Sequence, residues 1–274
     1  MKFAVCLKRV PDTNTKIKVG PDGKTIDPQG VEWTISPYDE LAIELALRLK
    51  EKAGDGEVVG ITVDPEGSDQ ALRKALAIGI DRGILIKGGG NFDASATARI
   101  LASVLKDRKF DVLFFGKQAI DDDAFQVPTI VAHLLGLPRV NVCTSFEIEG
   151  TKATCRRQIE GGEETIEVTL PCVISVQKGV NGIHDKRYPS MKGIMAAKSK
   201  PVEMIPAPPF EPKPPPMYSQ MTRMRESGIR SAACSPARTP KTCCVDSYTV
   251  RRSPSHIATA PCVSSALCSW VEVR

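Results

Sequence analysis

The residues whose types and order best suit chemistry lie in one stretch, Gly116-Lys117-Gln118-Ala119-Ile120-Asp121-Asp122-Asp123-Ala124-Phe125-Gln126-Val127. It follows the wholly apolar run Val112–Phe115 and precedes an apolar helical pattern through Val131 and Leu135. In a doubly wound sheet, ligands bind where strand ends meet helix N-termini, because the first N–H groups of a helix lack intrahelical partners and attract an anion. Gly116 has no Cβ, so the backbone there can approach such a ligand closely. A solvated loop whose aspartates cap the next helix fits the same residues, and the residues alone leave the two readings even. Asp121, Asp122 and Asp123 would repel a phosphate unless turned away to cap the helix, so backbone amides must be the main anion holders.

Two further segments carry notable chemistry. Val5-Cys6-Leu7-Lys8-Arg9-Val10-Pro11-Asp12 places two bases at a strand end, which suits either a solvated exit or a ligand or interface position. Arg187-Tyr188-Pro189-Ser190-Met191-Lys192-Gly193-Ile194-Met195-Ala196-Ala197-Lys198 sets large apolar side chains among bases, Gly and Pro. That pattern suits a protruding anchor for a partner's pocket, and methionine is flexible and polarizable enough for such a surface. A short helix packing Ile194 and Met195 inward would read the same way.

Other chemistries lack their residues. There is no GxGxxG after the first strand and no GxxxxGK[ST] anywhere. His133 lies in the apolar run Ile130–Leu135 and reads as a packed core histidine, and His184 as a loop residue. No nucleophile is proposed, so no catalytic residue is expected. Cys6, Cys143, Cys155 and Cys172 fall in strand-like segments and read as buried thiols; no CxxC pair or zinc spacing occurs, and no metal is expected.

These segments must be positioned by an alternation of strands and helices. Phe3–Leu7, Val58–Val63, Gly83–Ile86 and Val112–Phe115 are short apolar runs separated by amphipathic stretches. Buried strands with helices between them indicate a parallel sheet covered on both faces. Ser36-Pro37-Tyr38-Asp39 opens the first helix, with Ser36 as cap, proline in the first turn and Asp39 completing a capping-box pattern. The next helices start at Ser68 and Ala94, with loops at Asp64-Pro65-Glu66-Gly67 and Gly88-Gly89-Gly90. Val142–Ile148, Ala153–Ile159 and Thr165–Leu170 then read as an additional antiparallel segment, followed by the strand Val173–Val176. The expected fold class is α/β, a Rossmann-like doubly wound, mostly parallel sheet with that antiparallel addition and a disordered C-terminal tail.

The chain has 274 residues and a net charge of +5. Residues 217–274 hold eight Lys/Arg and three Asp/Glu, so the same +5 sits in the tail and residues 1–216 sum to zero. A basic balance confined to a tail gives no nucleic-acid face. No apolar run reaches the roughly 18 residues of a membrane span. The N-terminus reads as a first strand rather than a signal peptide, so a cytoplasmic location is expected. Residues 1–205 form the expected folded unit, including a loop at 184–200, and 206–216 a Pro-rich linker. Residues 217–274, rich in Ser, Arg and Cys, are expected to be disordered or not native to the fold. Translation in a wrong reading frame would produce such a composition.

Taken in order, Val5-Cys6-Leu7-Lys8-Arg9-Val10-Pro11, Ser36-Pro37-Tyr38-Asp39-Glu40, Ala75 to Gly83, Gly116 to Asp123, Glu160-Gly161-Gly162 and Arg187-Tyr188-Pro189-Ser190 resemble the electron-transfer flavoprotein beta subunits over about residues 1–205. The resemblance implies a heterodimer with an alpha subunit that holds most of the FAD, and a structural AMP in the beta subunit. By the family pattern AMP contacts fall at Cys6, at Ser36, Pro37, Tyr38 and Asp39, at Val63, and along Gly116 to Val127. Tyr38 takes the place of an aromatic near the flavin. The Tyr188–Lys198 loop corresponds to the element that docks on acyl-CoA dehydrogenases, through Arg187, Tyr188, Met191, Ile194 and Met195. Its anchor is usually leucine and is Met191 here, a nearly volume-conserving change. Electrons then pass to electron-transfer flavoprotein-quinone oxidoreductase. Electron-bifurcating relatives, with a second FAD in place of AMP, tend to carry glycine where this chain has Asp122, which implies AMP.

The same resemblance implies a carrier subunit and no enzyme. Two alternatives share the broad fold. An adenine nucleotide hydrolase-type enzyme needs a Ser-Gly-Gly-x-Asp-Ser-like loop where this chain reads Lys8-Arg9-Val10-Pro11-Asp12-Thr13. A stand-alone module resembling universal stress proteins should lack the anchor loop. After Pro216 nothing resembles the family's segments that embrace the alpha subunit.

Overall fold

The computed structural model describes residues 1–21, 23, 26–64, 67–88, 92–208 and 249–251. Strand β1 (Lys2–Leu7) leads into a short antiparallel pair, β2 (Arg9–Pro11) and β3 (Trp33–Ile35), and then into helix α1 (Pro37–Ala53). There follow β4 (Glu57–Asp64), α2 (Gln70–Ile78), β5 (Arg82–Lys87), α3 (Ala94–Leu105), β6 (Val112–Gly116) and α4 (Val127–Leu135). A meander of β7 (Arg139–Glu149), β8 (Lys152–Ile159) and β9 (Gly162–Thr169) precedes β10 (Cys172–Val176). Helix α5 (Met191–Ala197), β11 (Val202–Pro206) and β12 (Thr249–Arg251) complete the elements.

Ten strands form one sheet in the order β11-β5-β4-β1-β6-β10-β7-β8-β9-β12. From β11 to β7 the neighbours run parallel, and from β7 to β12 antiparallel. The fold is thus α/β and doubly wound, and the antiparallel addition is continuous with the main sheet: the start of β7 pairs with β10 and its end with β8. Successive strand residues point to opposite faces. Phe3, Val5 and Phe114 join α1 and α2 in one core, while Ala4, Cys6 and Phe115 join α3 and α4 in the other. Phe114 stacks 5.9 Å from Phe3 and meets Phe146 edge-on at 5.5 Å. Burial on both faces is why these strands read as unbroken apolar runs.

Three strands depart from the expected elements. β2 lies where a strand exit was one of the two readings, and β3 where no element was assigned. β11 runs to Pro206, one residue into the stretch read as linker, and the Ala207 N–H still donates to the Lys87 carbonyl at 2.8 Å. Pro206 is tolerated because an edge strand leaves one side of its backbone unpaired. Pro65 and Glu66 of the expected turn, Gly89 and Gly90 of the glycine loop, linker residues 209–216 and the tail apart from 249–251 lie outside the described residues. The tail cysteines Cys234, Cys243, Cys244, Cys262 and Cys268 are among them. No helix among the described residues is long and apolar enough to cross a membrane.

Candidate functional site

The chain leaves β1 to build β4 and β5 on one side, then returns through α3 to place β6 on the other. Strand order therefore reverses between β1 and β6, and their C-terminal ends splay there to open a crevice. One carboxylate spans that point. Asp39, in the first turn of α1, accepts the Lys8 N–H through Oδ2 at 2.8 Å and the Gly116 N–H through Oδ1 at 3.0 Å. The capping-box expectation is corrected here: Ser36 makes no side-chain cap, and its N–H donates to the Lys8 carbonyl at 3.1 Å. Two N–H groups at buried strand ends are worth more to Asp39 than a helix cap that water can replace. Burial pushes its carboxyl up to about 7, against the pull of the Lys8 and Gly116 N–H groups and of the Lys8 charge.

Beside this junction lies a cavity of about 460 Å³ on the α3/α4 side of the sheet. Its walls include Cys6, Ile61, Val63, Leu101 and Phe115, with Ile26, Trp33 and Phe92 closing the outer side. The loop from Gly116 to Val127 forms its end, contributing Gly116, Lys117, Gln118, Ala119, Asp121, Asp122, Ala124, Phe125, Gln126 and Val127. Asp123 and Phe125 have φ of 45° and 57°, in the left-handed region that a bulky residue such as Phe rarely adopts. A left-handed residue next to one of ordinary φ is the backbone pattern from which anion-holding nests are built. Helix α4 starts immediately after, its first intrahelical bond running from the Ile130 N–H to the Gln126 carbonyl at 3.1 Å.

The aspartates do not cap α4, so the reading in which they do does not hold. Lys8 Nζ reaches Asp121 Oδ1 and Asp122 Oδ2, each at 2.8 Å, and Asp123 accepts from Gln118 Nε2 at 2.8 Å. Burial lowers the Lys8 pKa, but the two carboxylates outweigh it and hold the ammonium above its usual value. Burial likewise raises Asp122, and Lys8 with the Ala124 N–H overturns this and holds it below the carboxylate range. The loop therefore carries its own counter-charge. Arg9, 4.2 Å above the Trp33 ring, pairs with Asp64 at 2.6 Å and ties the β2–β3 roof to the end of β4.

Of the expected contacts, Ser36, Pro37, Tyr38, Ile120 and Asp123 do not line the cavity. Ser36 is buried and its Oγ donates to the Gln118 carbonyl at 3.4 Å; Tyr38 stands half-buried where a Cβ on Gly116 would come within 2.8 Å of it; Pro37 is exposed. Sequence reasoning missed Ile26, Ile61, Trp33, Phe92, Thr97 and Leu101 as lining. Strand parity could have found Ile61, which pairs in register with Cys6. Trp33 and Ile26 sit in a segment with no periodic pattern. The four strand cysteines are buried and free, and burial pushes Cys172 up to about 12.

A family model described as the electron transfer flavoprotein domain matches residues 23–210. A Syntrophomonas wolfei protein named electron transfer flavoprotein subunit beta is 44% identical over 230 residues, covering 84% of this chain and 89% of its own. Proteins of the same name from Bacillus subtilis and Mus musculus are 42% and 36% identical, covering 75% and 76% of this chain and 79% and 82% of their own. The chain belongs to the electron transfer flavoprotein beta-subunit family. In this beta subunit the expected docking residues lie outside the cavity lining, on and before a helix that packs against α2. Tyr188, Met191 and Met195 are 75%, 78% and 71% exposed and Ile194 44%, on and just before α5. The helix forms, but the alternative in which Ile194 and Met195 pack inward does not hold: only Ala197 of α5 is buried. Arg187 is directed inward, its guanidinium pairing with Glu44 at 3.1 Å and Glu51 at 2.7 Å on α1.

Proposed function

We propose that the chain is the beta subunit of an AMP-holding, non-bifurcating electron transfer flavoprotein. The observation that carries this reading is the cavity at the β1/β6 reversal, ending in a loop whose Asp121 and Asp122 are paired by Lys8 and whose Asp123 and Phe125 are left-handed. The residues present fit the group. The N–H groups from Phe125 to Val127 would take its phosphate, and the apolar wall of Cys6, Ile61, Val63 and Phe115 would take the nucleoside. FAD, shared with and mainly held by the alpha subunit, supplies the redox chemistry when bound. This chain's part is to hold AMP, to present Tyr38 beside the shared site, and to dock acyl-CoA dehydrogenases through Tyr188, Met191, Ile194 and Met195. Electrons then leave for electron-transfer flavoprotein-quinone oxidoreductase. The chain performs no reaction of its own, works in the cytoplasm, and neither enters a membrane nor binds nucleic acid.

The direct test is reduction of the flavin of the alpha–beta heterodimer by acyl-CoA with a catalytic amount of dehydrogenase. Rapid, saturable reduction is expected, and none with a heterodimer of full flavin content would refute the docking role. Met191→Ala should lower kcat/KM for that reduction about 30-fold, roughly 2 kcal/mol for an exposed anchor, with FAD and AMP content unchanged. Lys8→Met should weaken AMP about 10-fold or more in equilibrium dialysis, since Asp121 and Asp122 then face the phosphate uncompensated. Its effect on unfolding should stay below about 1 kcal/mol, because the pairs are partly exposed and screened.

A further inference from the structure

Helix α5 is seven residues long and buries one side chain. A helix that short does not persist by itself in water, because nucleation fixes several residues before hydrogen bonds offset the cost. Its supports lie in the neighbouring elements. Ser190 Oγ accepts the Gly193 N–H at 3.0 Å, and Gly193 sits so close to the end of α2 that a Cβ there would overlap the Ala77 carbonyl oxygen. Upstream, Lys186 pairs with Glu40 at 2.7 Å, and Arg187 with Glu44 and Glu51, fastening the approach to α1.

The far end is held by an exchange of cations. Arg73, on α2, donates from Nη1 to the carbonyls of Ala197 at 2.9 Å and Lys200 at 3.2 Å, while its Nε is fixed on Asp69 at 2.9 Å. Lys200, just beyond α5, donates in return to the carbonyls of Leu76 at 3.0 Å and Ile80 at 2.6 Å at the end of α2. Each helix thus has one carbonyl of its last turn, Leu76 or Ala197, and one just beyond it, Ile80 or Lys200, satisfied by a cation from across the contact. The result is a rigid base beneath the exposed Tyr188, Met191 and Met195.

We infer that Arg73 and Lys200 form a reciprocal cap that orders α5 in advance of partner binding, which makes Arg73 a positioning residue for docking although it lies outside the anchor face. The inference rests on the reading of α5 as the docking element. Ordering the anchor beforehand removes an entropy cost from association, so loss of the cap multiplies affinity by the remaining ordered fraction.

The test uses the complete alpha–beta heterodimer with both cofactors, as wild type, Arg73→Met, Arg73→Lys, Lys200→Met and Met191→Ala. Measured are amide hydrogen exchange over residues 190–200, dehydrogenase affinity, cofactor content and the denaturation midpoint. Arg73→Met and Lys200→Met should speed exchange in α5 about tenfold and weaken the dehydrogenase about tenfold, with cofactors retained. Arg73→Lys should fall between, since one ammonium cannot stay on Asp69 and reach both carbonyls as the guanidinium does through Nε and Nη1. If Met191→Ala weakens binding while the Arg73 and Lys200 variants change neither exchange nor affinity, the cap is refuted and the docking reading stands. If Met191→Ala and Arg73→Met both leave affinity unchanged, the docking reading falls and the inference with it. Should Arg73→Met fail to fold, Arg73→Lys and Lys200→Met carry the same outcomes.

Discussion

Gly116→Ala should destabilise the chain by about 3–5 kcal/mol and abolish nucleotide retention. A Cβ at this position would overlap Asp39 Oδ1 and come within 2.8 Å of Tyr38 Cβ and 2.9 Å of the Asp39 N. Both oxygens of the buried Asp39 are held by the Lys8 and Gly116 N–H groups, and the other two atoms are a Cβ and a backbone N, so α1 must retreat from the end of β6. That retreat combines overpacking, worth about 1–3 kcal/mol, with loss of a buried hydrogen bond to a carboxylate, worth about 1.5–3 kcal/mol. For a fold stabilised by roughly 5–15 kcal/mol this is a large share. Denaturant titration measures it, with Gly162→Ala as control: nothing lies within 4 Å of a Cβ there, so the control should be nearly neutral. A Gly116→Ala chain as stable as wild type, with nucleotide bound, would mean that the two strand ends are not closed over α1 as described.

Asp39→Asn should be nearly as severe and should also change the pH profile. An amide can accept one of the two N–H groups but presents its own NH2 to the other, leaving a buried donor unpaired at about 1–3 kcal/mol. The pH effect has a definite sign. Burial raises the folded carboxyl to about 7, above the roughly 3.9 of an unfolded aspartate, so the folded state binds more protons between those values. Stability from this group is full below pH ~4 and is lost as pH rises through 7, an effect on the order of 4 kcal/mol. Lys8 opposes the shift and Glu40 adds to it. Elsewhere Glu51, Glu57 and Glu203 are held low, chiefly by hydrogen bonds from Arg187, Arg82 and Arg108, and give the opposite slope. The informative quantity is therefore the difference between wild type and Asp39→Asn at pH 5 and pH 8. Wild type should lose more stability over that interval, and identical slopes would contradict a buried, proton-binding Asp39.

What was legible in the sequence was whatever one element expresses by itself. Val112–Phe115 and Val58–Val63 show as strands because both sheet faces are covered and nearly every residue is apolar, Thr62 excepted. The loop that ends the cavity shows because a glycine ends one such strand and a helix follows. Asp39 was misread because its helix-opening position is a local pattern, whereas the groups that bind it are Lys8 and Gly116, 31 and 77 residues away. The pairing of Lys8 with Asp121, across 113 residues, was invisible for the same reason. β2 and β3 are three residues each and owe their pairing to tertiary contacts such as Arg9 on Trp33, so no periodicity announces them. The exposed face of α5 was undecidable locally, since the cations that support it come from α2 and from beyond the helix.

The account's central claim is that this beta subunit holds AMP beside a flavin shared with an alpha subunit. Purification from native cells, followed by mass spectrometry of the co-purifying subunit and the extracted nucleotides, tests it most directly. One alpha subunit, one FAD and one AMP per heterodimer is the expected composition. Two FAD with no AMP, or a folded chain that purifies alone and colourless, would contradict it.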